Sequence, residues 1–231
     1  MLIACWSPKG GSGTTVIACG LAAVLARSAG SSGGALLADL AGDAAAVLGV
    51  AEPTGPGLAQ WLASGPDIGS AALTRLEMEA GAGLRLLAWK PAGPDVRPAA
   101  GRAEALVEAL SGDPRAVVAD CGAAASGAGL ALASGAEVSL LVLRPCYLAL
   151  RRALAAPVRP SGVVLITESG RALGRRDVED VLGVPVRAEV AIEEAVARAC
   201  DAGLLARRIP RALERALRPL AGLRGAGQDA A

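Results

Sequence analysis

The chain contains no histidine and no phenylalanine, and only two of its 23 basic residues are lysines. Without an imidazole, neither a Ser-His-Asp nor a Cys-His arrangement can activate a nucleophile. The five cysteines, Cys5, Cys19, Cys121, Cys146 and Cys200, stand singly with no C-x-x-C spacing, which argues against a zinc site and against a disulfide framework. A basic N-terminal region followed by a signal-type apolar run is missing, and no uninterrupted apolar stretch reaches the ~18 residues that span a bilayer. Net charge is +1 with no long run of one sign, so global charge gives no reason to expect nucleic acid or a charged substrate. Together these absences read as a cytoplasmic protein.

What is present is largely apolar. Hydrophobic residues fill 53% of 231 positions, enough to bury the core of one α/β domain without requiring a second. Apolar runs predict strands over 2–6, 35–38, 84–89, 115–119, 138–143, 163–167 and 184–190. Between them, helices are predicted over 14–29, 43–50, 58–63, 99–110, 146–155, 177–182 and 192–202. Trp61, on an apolar stripe, reads as a core residue. Turn residues mark 31–34 and 91–98, while 127–135 is too rich in small residues to assign. Strands alternating with helices at this spacing predict a mostly parallel, twisted sheet with helices on both faces, a three-layer α/β fold.

Between the first strand and the first helix lies Trp6-Ser7-Pro8-Lys9-Gly10-Gly11-Ser12-Gly13-Thr14-Thr15-Val16. Backbone N–H groups of a Gly-rich turn, with the N-terminus of the helix that follows, suit the phosphates of a nucleotide. The usual phosphate loop reads G-x-x-x-x-G-K-[ST]. Here Pro8 replaces the first glycine and Thr14 the lysine, and a lysine stands instead at Lys9. In a chain that otherwise uses arginine, a lysine inside this loop is a choice for a compact charge on a flexible stem; the alternative is a solvated loop residue. Asp39 and Asp120 each close an apolar strand, where carboxylates face the ligand crevice of a parallel sheet. The alternatives are a helix cap or turn residue for Asp39 and a turn residue before Gly122 for Asp120.

Lys9-Gly10-Gly11-Ser12-Gly13 resembles the K-G-G-x-G-K-[ST] loop of the MinD/ParA family of dimerising P-loop ATPases, with Thr14 departing from it. The resemblance runs from Leu2 to about Arg218 and implies a single P-loop domain over 1–218 followed by a flexible tail over 219–231. It also implies ATP or ADP with Mg²⁺ as cofactors. Lys9, Gly10, Gly11, Ser12, Gly13, Thr14 and Thr15 would hold the nucleotide, Thr15 and Asp120 the magnesium, and Lys9 would reach the nucleotide of a partner copy in a homodimer. In the family the second strand ends in D-x-D, the second carboxylate positioning the hydrolytic water. This chain reads Asp39-Leu40-Ala41, which keeps Asp39 in the catalytic set, leaves Ala41 in place of its companion, and puts Asp43 two residues further on. Near the end of the 163–167 strand, where the family often presents an Asn to the adenine, stand Thr167 and Glu168.

Replacement of the loop lysine by a small residue is similar to the CpaE/TadZ branch, whose members help place pilus or secretion machinery. The implied activity is a nucleotide-dependent switch that positions an assembly, with slow or absent hydrolysis because Thr14 and Ala41 remove two groups of the hydrolytic cycle. An ATPase cycling on DNA or membrane, and a scaffold without nucleotide, are the alternatives. An unidentified protein cargo or adaptor is the expected partner. Between Arg198 and Arg224 seven arginines face only Asp201 and Glu214. This segment could meet an anionic membrane, and so a peripheral site at the membrane or cell pole, or DNA phosphates. Packing of Leu213, Leu217 and Leu220 on the domain, with the arginines in solvent, is the preferred reading.

Overall fold

The computed structural model describes residues 1–28, 33–91, 93, 98–124 and 127–223. Its strands are β1 (Leu2–Ser7), β2 (Ala35–Asp39), β3 (Glu77–Gly81), β4 (Leu84–Leu87), β5 (Ala116–Ala123), β6 (Val138–Leu143), β7 (Gly162–Thr167) and β8 (Val186–Ala191). They form one eight-stranded sheet in the order β3-β4-β2-β5-β1-β6-β7-β8. Every neighbouring pair is parallel except the edge pair β3 and β4. The helices are α1 (Thr14–Ser28), α2 (Ala44–Leu48), α3 (Leu58–Ala63), α4 (Ala71–Leu76), α5 (Arg102–Ser111), α6 (Gly127–Gly135), α7 (Tyr147–Leu154), α8 (Arg175–Leu182), α9 (Glu194–Asp201) and α10 (Arg211–Leu217).

A sheet covered on both faces needs strands that are apolar throughout, and β1, β2 and β6 are buried at every residue. Successive side chains then serve opposite cores. Ile3 and Cys5 of β1 face α1, α2 and α10, whereas Leu2, Ala4 and Trp6 face the layer of α3, α5, α6, α7 and α8. Helix α1 is apolar nearly all round because it lies between the sheet and α10. Their contact is close: a Cβ at Gly20 would come within 2.8 Å of Leu217 Cδ1 and 3.2 Å of Leu213 Cδ2.

The predicted alternation of strands and helices is the one observed, with shifts that have local causes. The helix expected from residue 99 starts at Arg102, since Gly101 before it takes a left-handed φ of 74°. The strand expected over 115–119 runs on to Ala123, so Asp120 lies inside β5 rather than after it. Residues 127–135, left unassigned, form α6. No element was expected over 71–81, which carries α4 and the antiparallel edge strand β3. Trp61 is buried, its ring 3.6 Å from the Arg102 guanidinium. Leu213, Leu217 and Leu220 are all buried while Arg207, Arg208, Arg211, Arg215 and Arg218 are exposed, as the preferred reading has it. Leu220 belongs to a 3-10 turn over Arg218–Gly222, so packed structure continues past residue 218, where the tail was expected to begin. The expected turn at 31–34 and loop at 91–98 fall largely outside the described residues, as do Arg224 and the rest of the tail over 224–231.

Candidate functional site

The carboxyl ends of the parallel strands share one edge of the sheet. There β1 sits between β5 and β6, and the chain leaves β1 for β2 on one side while β6 and β7 lie on the other. Such a reversal of strand order opens a crevice. The loop over 8–13 fills its mouth. Gly11 and Gly13 have φ of 75° and 82°, a region glycine enters without steric cost. A Cβ at Gly10, Gly11 or Gly13 would meet nothing within 4 Å, so open space lies over all three. The loop is pinned from below. Ser7 Oγ is shared between the carbonyls of Lys9 (2.9 Å) and Gly122 (3.2 Å), and Ser12 Oγ donates to the Lys9 carbonyl (3.2 Å). Ser12 and Thr14 are buried, and Lys9 is half-buried with no ion pair among the described residues.

Beside the loop, Asp120 pairs in register with Cys5 of β1 on one flank and with Asp39 of β2 on the other. It has no solvent exposure. Burial raises its pKa to about 6, the Thr15 hydroxyl pulls it back, and the Asp39 charge raises it further. Its Oδ1 accepts from the Gly122 N–H at 3.1 Å, while Oδ2 has no hydrogen-bond partner. A buried carboxylate oxygen left orphaned next to a threonine hydroxyl fits Mg²⁺, a hard cation that takes oxygen ligands.

Asp39 is occupied differently. Its Oδ1 accepts from Ala41 N–H (2.9 Å) and Gly42 N–H (2.7 Å), and its Oδ2 from Ala44 N–H (3.1 Å). Burial raises its pKa and these three amides oppose the rise. The carboxylate that the resemblance placed in the catalytic set is engaged by its own backbone, closing the loop from β2 into α2. Ala41 abuts Gly122, whose φ is 56° and whose hypothetical Cβ would lie 3.3 Å from the Ala41 Cβ.

On the other side of the loop, Arg144 after β6 donates to Glu168 Oε2 after β7 at 2.6 Å, and Arg171 donates to the same oxygen at 2.7 Å. The two guanidinium groups hold the Glu168 carboxyl below its ordinary range. Thr167, Glu168, Ser169, Ala191 and Ile192 line an open cavity of about 460 Å³. Thus Lys9, Gly10, Gly11, Ser12, Gly13, Thr14, Thr15, Asp39 and Asp120 all gather at one sheet edge, and Thr167 and Glu168 flank them. Gly122 and Arg144 were not anticipated. Gly122 carried one signal, its place two residues after a strand-borne aspartate.

This is the fold of P-loop nucleoside triphosphatases, in the arrangement of ParA and MinD. No family model and no curated protein matches the sequence. Among solved structures, the chain is similar to a ParA family ATPase from Chlorobium tepidum (TM-score 0.77, 18% identity, 95% of this chain and 96% of that one). It is similar also to the septum site-determining protein MinD from Pyrococcus horikoshii, complexed with Mg-ADP (TM-score 0.77, 19% identity, 95% and 93% covered). The cell division ATPase MinD of Pyrococcus furiosus matches with a TM-score of 0.76 at 22% identity, 95% and 96% covered.

Proposed function

We propose that the chain is a nucleotide-dependent dimerising switch that positions a cellular assembly, with weak or no ATP hydrolysis. The observation that carries this reading is the open space over Gly10, Gly11 and Gly13, next to the orphaned Oδ2 of Asp120. ATP or ADP lays its phosphates on the N–H groups of Gly10 to Thr15, and Mg²⁺ sits between Thr15 and Asp120. The nucleoside extends away from the metal toward Thr167 and Glu168. Lys9, half-buried in the loop, reaches the nucleotide of a second copy. Tyr147 and Leu154, exposed on α7 just beyond the end of β6, give that copy an apolar surface to cover.

Structural neighbours support the positioning role: one is a MinC:MinD cell division complex from Aquifex aeolicus, another a plasmid partition protein of Borrelia burgdorferi bound to AMPPNP. Within that group, Thr14 favours the CpaE/TadZ branch and the placement of pilus or secretion machinery through a protein adaptor. Thr14 and Ala41 together argue for slow turnover, because phosphoryl transfer relies on cations at the phosphates and on a positioned nucleophile. Titration calorimetry with Mg·ATP and Mg·ADP, combined with sedimentation velocity, tests the reading. Mg·ATP should bind and convert monomer to dimer, and Lys9→Ala should bind nucleotide yet remain monomeric. Absence of nucleotide binding would leave only a scaffold; unchanged dimerisation of Lys9→Ala would remove the cross-subunit role.

A further inference from the structure

Helix α9 covers the domain incompletely. A helix packed on a sheet ordinarily buries a stripe of its residues. No residue of α9 is buried, and Val196, Ala199 and Cys200, the stripe turned to the core, are only half-buried. Between α9 and α10 lies an open cleft of about 940 Å³, near the top of the ~300–1,000 Å³ range of ligand pockets. Its lining is apolar where it is deepest, at the buried Ile209 and the half-buried Ala199 and Ala212, and Leu204 beside them is 43% exposed. Arg208, Arg211 and Arg215 line the rest, exposed and without an ion pair among the described residues, whereas Arg198 of α9 is held by Glu194 at 2.8 Å. Local stability does not account for this placing. A helix start favours acids over bases, and like charges one turn apart repel. Arg211 is the first residue of α10 and Arg215 stands one turn on, so the pair breaks both rules. Where a chain sets local preference aside in this way, the charges serve something outside the fold.

We infer that the cleft between α9 and α10 seats an acidic segment of a partner protein, with carboxylates on Arg208, Arg211 and Arg215 and an apolar side chain on Leu204 and Ile209. This gives a chemistry to the adaptor of the proposed function, and rests on that reading only for the adaptor's role. Guanidinium groups pair with carboxylates through two parallel hydrogen bonds, and charge complementarity of this kind fixes register as well as attraction. The apolar lining supplies the anchor that a purely ionic contact lacks. Shape and charge both favour a peptide over a duplex or a lipid surface. Proteins read a duplex by projecting a helix or ribbon into its groove, whereas these arginines line a recess. Glu193 and Glu214 line it too. Their carboxylates repel an unbroken row of phosphates, yet they accept hydrogen bonds from the backbone N–H groups of a peptide.

Fluorescence anisotropy at physiological salt, with a labelled peptide of alternating glutamate and leucine, tests the cleft. Wild type should bind this peptide, and should bind its glutamine-for-glutamate counterpart roughly tenfold or more weakly. An Arg208→Ala, Arg211→Ala, Arg215→Ala triple variant should lose on the order of a hundredfold in affinity and keep its melting temperature, because all three side chains are exposed. Leu204→Ser leaves every charge in place and should lose roughly fivefold; full affinity in that variant would mean attraction by charge alone and would overturn the seat. Absence of peptide binding, or unchanged affinity in the triple variant, would overturn the inference outright. So would tighter binding of duplex DNA or of phosphatidylserine vesicles than of the peptide, since the cleft would then belong to a nucleic-acid or lipid surface. Mg·ATP-driven dimerisation, followed on the same samples, separates this inference from the switch: dimerisation without peptide binding removes the cleft alone, and peptide binding without dimerisation removes the switch alone.

Discussion

A carboxylate shut away from solvent beside a second carboxylate is costly to ionise, and Asp120 is such a group. Its pKa, raised from 3.8 to about 6 by burial and by Asp39, means that the folded protein binds a proton there more tightly than the unfolded chain does. In the absence of magnesium, the stabilisation from this group is fully present below pH 3.8 and lost as pH rises through about 6. Asp120→Asn should therefore stabilise the metal-free protein at pH 8, on the order of 3 kcal/mol for a shift of this size. The advantage should vanish toward pH 4. Denaturant unfolding at the two pH values measures it, and equal stability of wild type and variant at pH 8 would contradict it. The same substitution should abolish magnesium dependence of nucleotide binding, because it removes the charged oxygen that is free for the metal. The buried thiols of Cys5, Cys19 and Cys121, pushed up by burial, take no part at neutral pH.

At the level of elements, α10 decides what the arginine-rich segment can meet. A helix that inserts into a membrane must offer its apolar stripe, and here Leu213 and Leu217 are committed to α1 at Gly20. What α10 and α9 offer outward is a cleft of about 940 Å³ lined by Arg198, Arg208, Arg211 and Arg215 together with Glu193 and Glu214. Duplex DNA binding through these arginines, if it occurs, should weaken steeply in co-sedimentation as salt rises. Uncharged vesicles should capture no protein, and an Arg208→Ala, Arg211→Ala, Arg215→Ala triple variant should lose DNA. Salt-resistant capture by vesicles would mean that α10 leaves its site. The partition of leucines inward and arginines outward was legible from their spacing alone, as were β1, the glycine loop and α1, because each is a long run of one character. Edge elements were not. Strand β3 mixes Glu77 and Glu79 with Met78 and Ala80, and its place depends on pairing with β4 around the Ala82-Gly83 turn, a contact that no local pattern reveals. At the site, residue types were legible and their surroundings were not: Asp39 and Asp120 looked alike in sequence, and only the three amides folded back onto Asp39 distinguish it from Asp120, whose Oδ2 has no partner.

For the whole molecule, the switch reading makes nucleotide affinity and self-association two sides of one free energy. If a second copy closes over the nucleotide, whatever weakens the dimer must also weaken apparent nucleotide binding at a protein concentration where the dimer forms. Tyr147 separates this coupling from damage to the monomer. It is 77% exposed, at the start of α7 and four residues beyond the end of β6, the strand beside the one that delivers the loop. Replacing it costs the free monomer little, since its side chain packs on almost nothing. In an interface, a tyrosine turned to aspartate loses its buried ring and sets a charge against an apolar surface, at least about 1–2 kcal/mol and so roughly tenfold in the dimer constant. Tyr147→Asp should therefore keep the melting temperature of the nucleotide-free protein, weaken the ATP-dependent dimer in sedimentation equilibrium, and lower apparent ATP affinity at high protein concentration while matching wild type at low concentration. An unchanged dimer constant would take α7 out of the interface. A weaker dimer with ATP affinity independent of protein concentration would mean that nucleotide binding and self-association are uncoupled, and the glycine cradle would then hold its nucleotide without operating a switch.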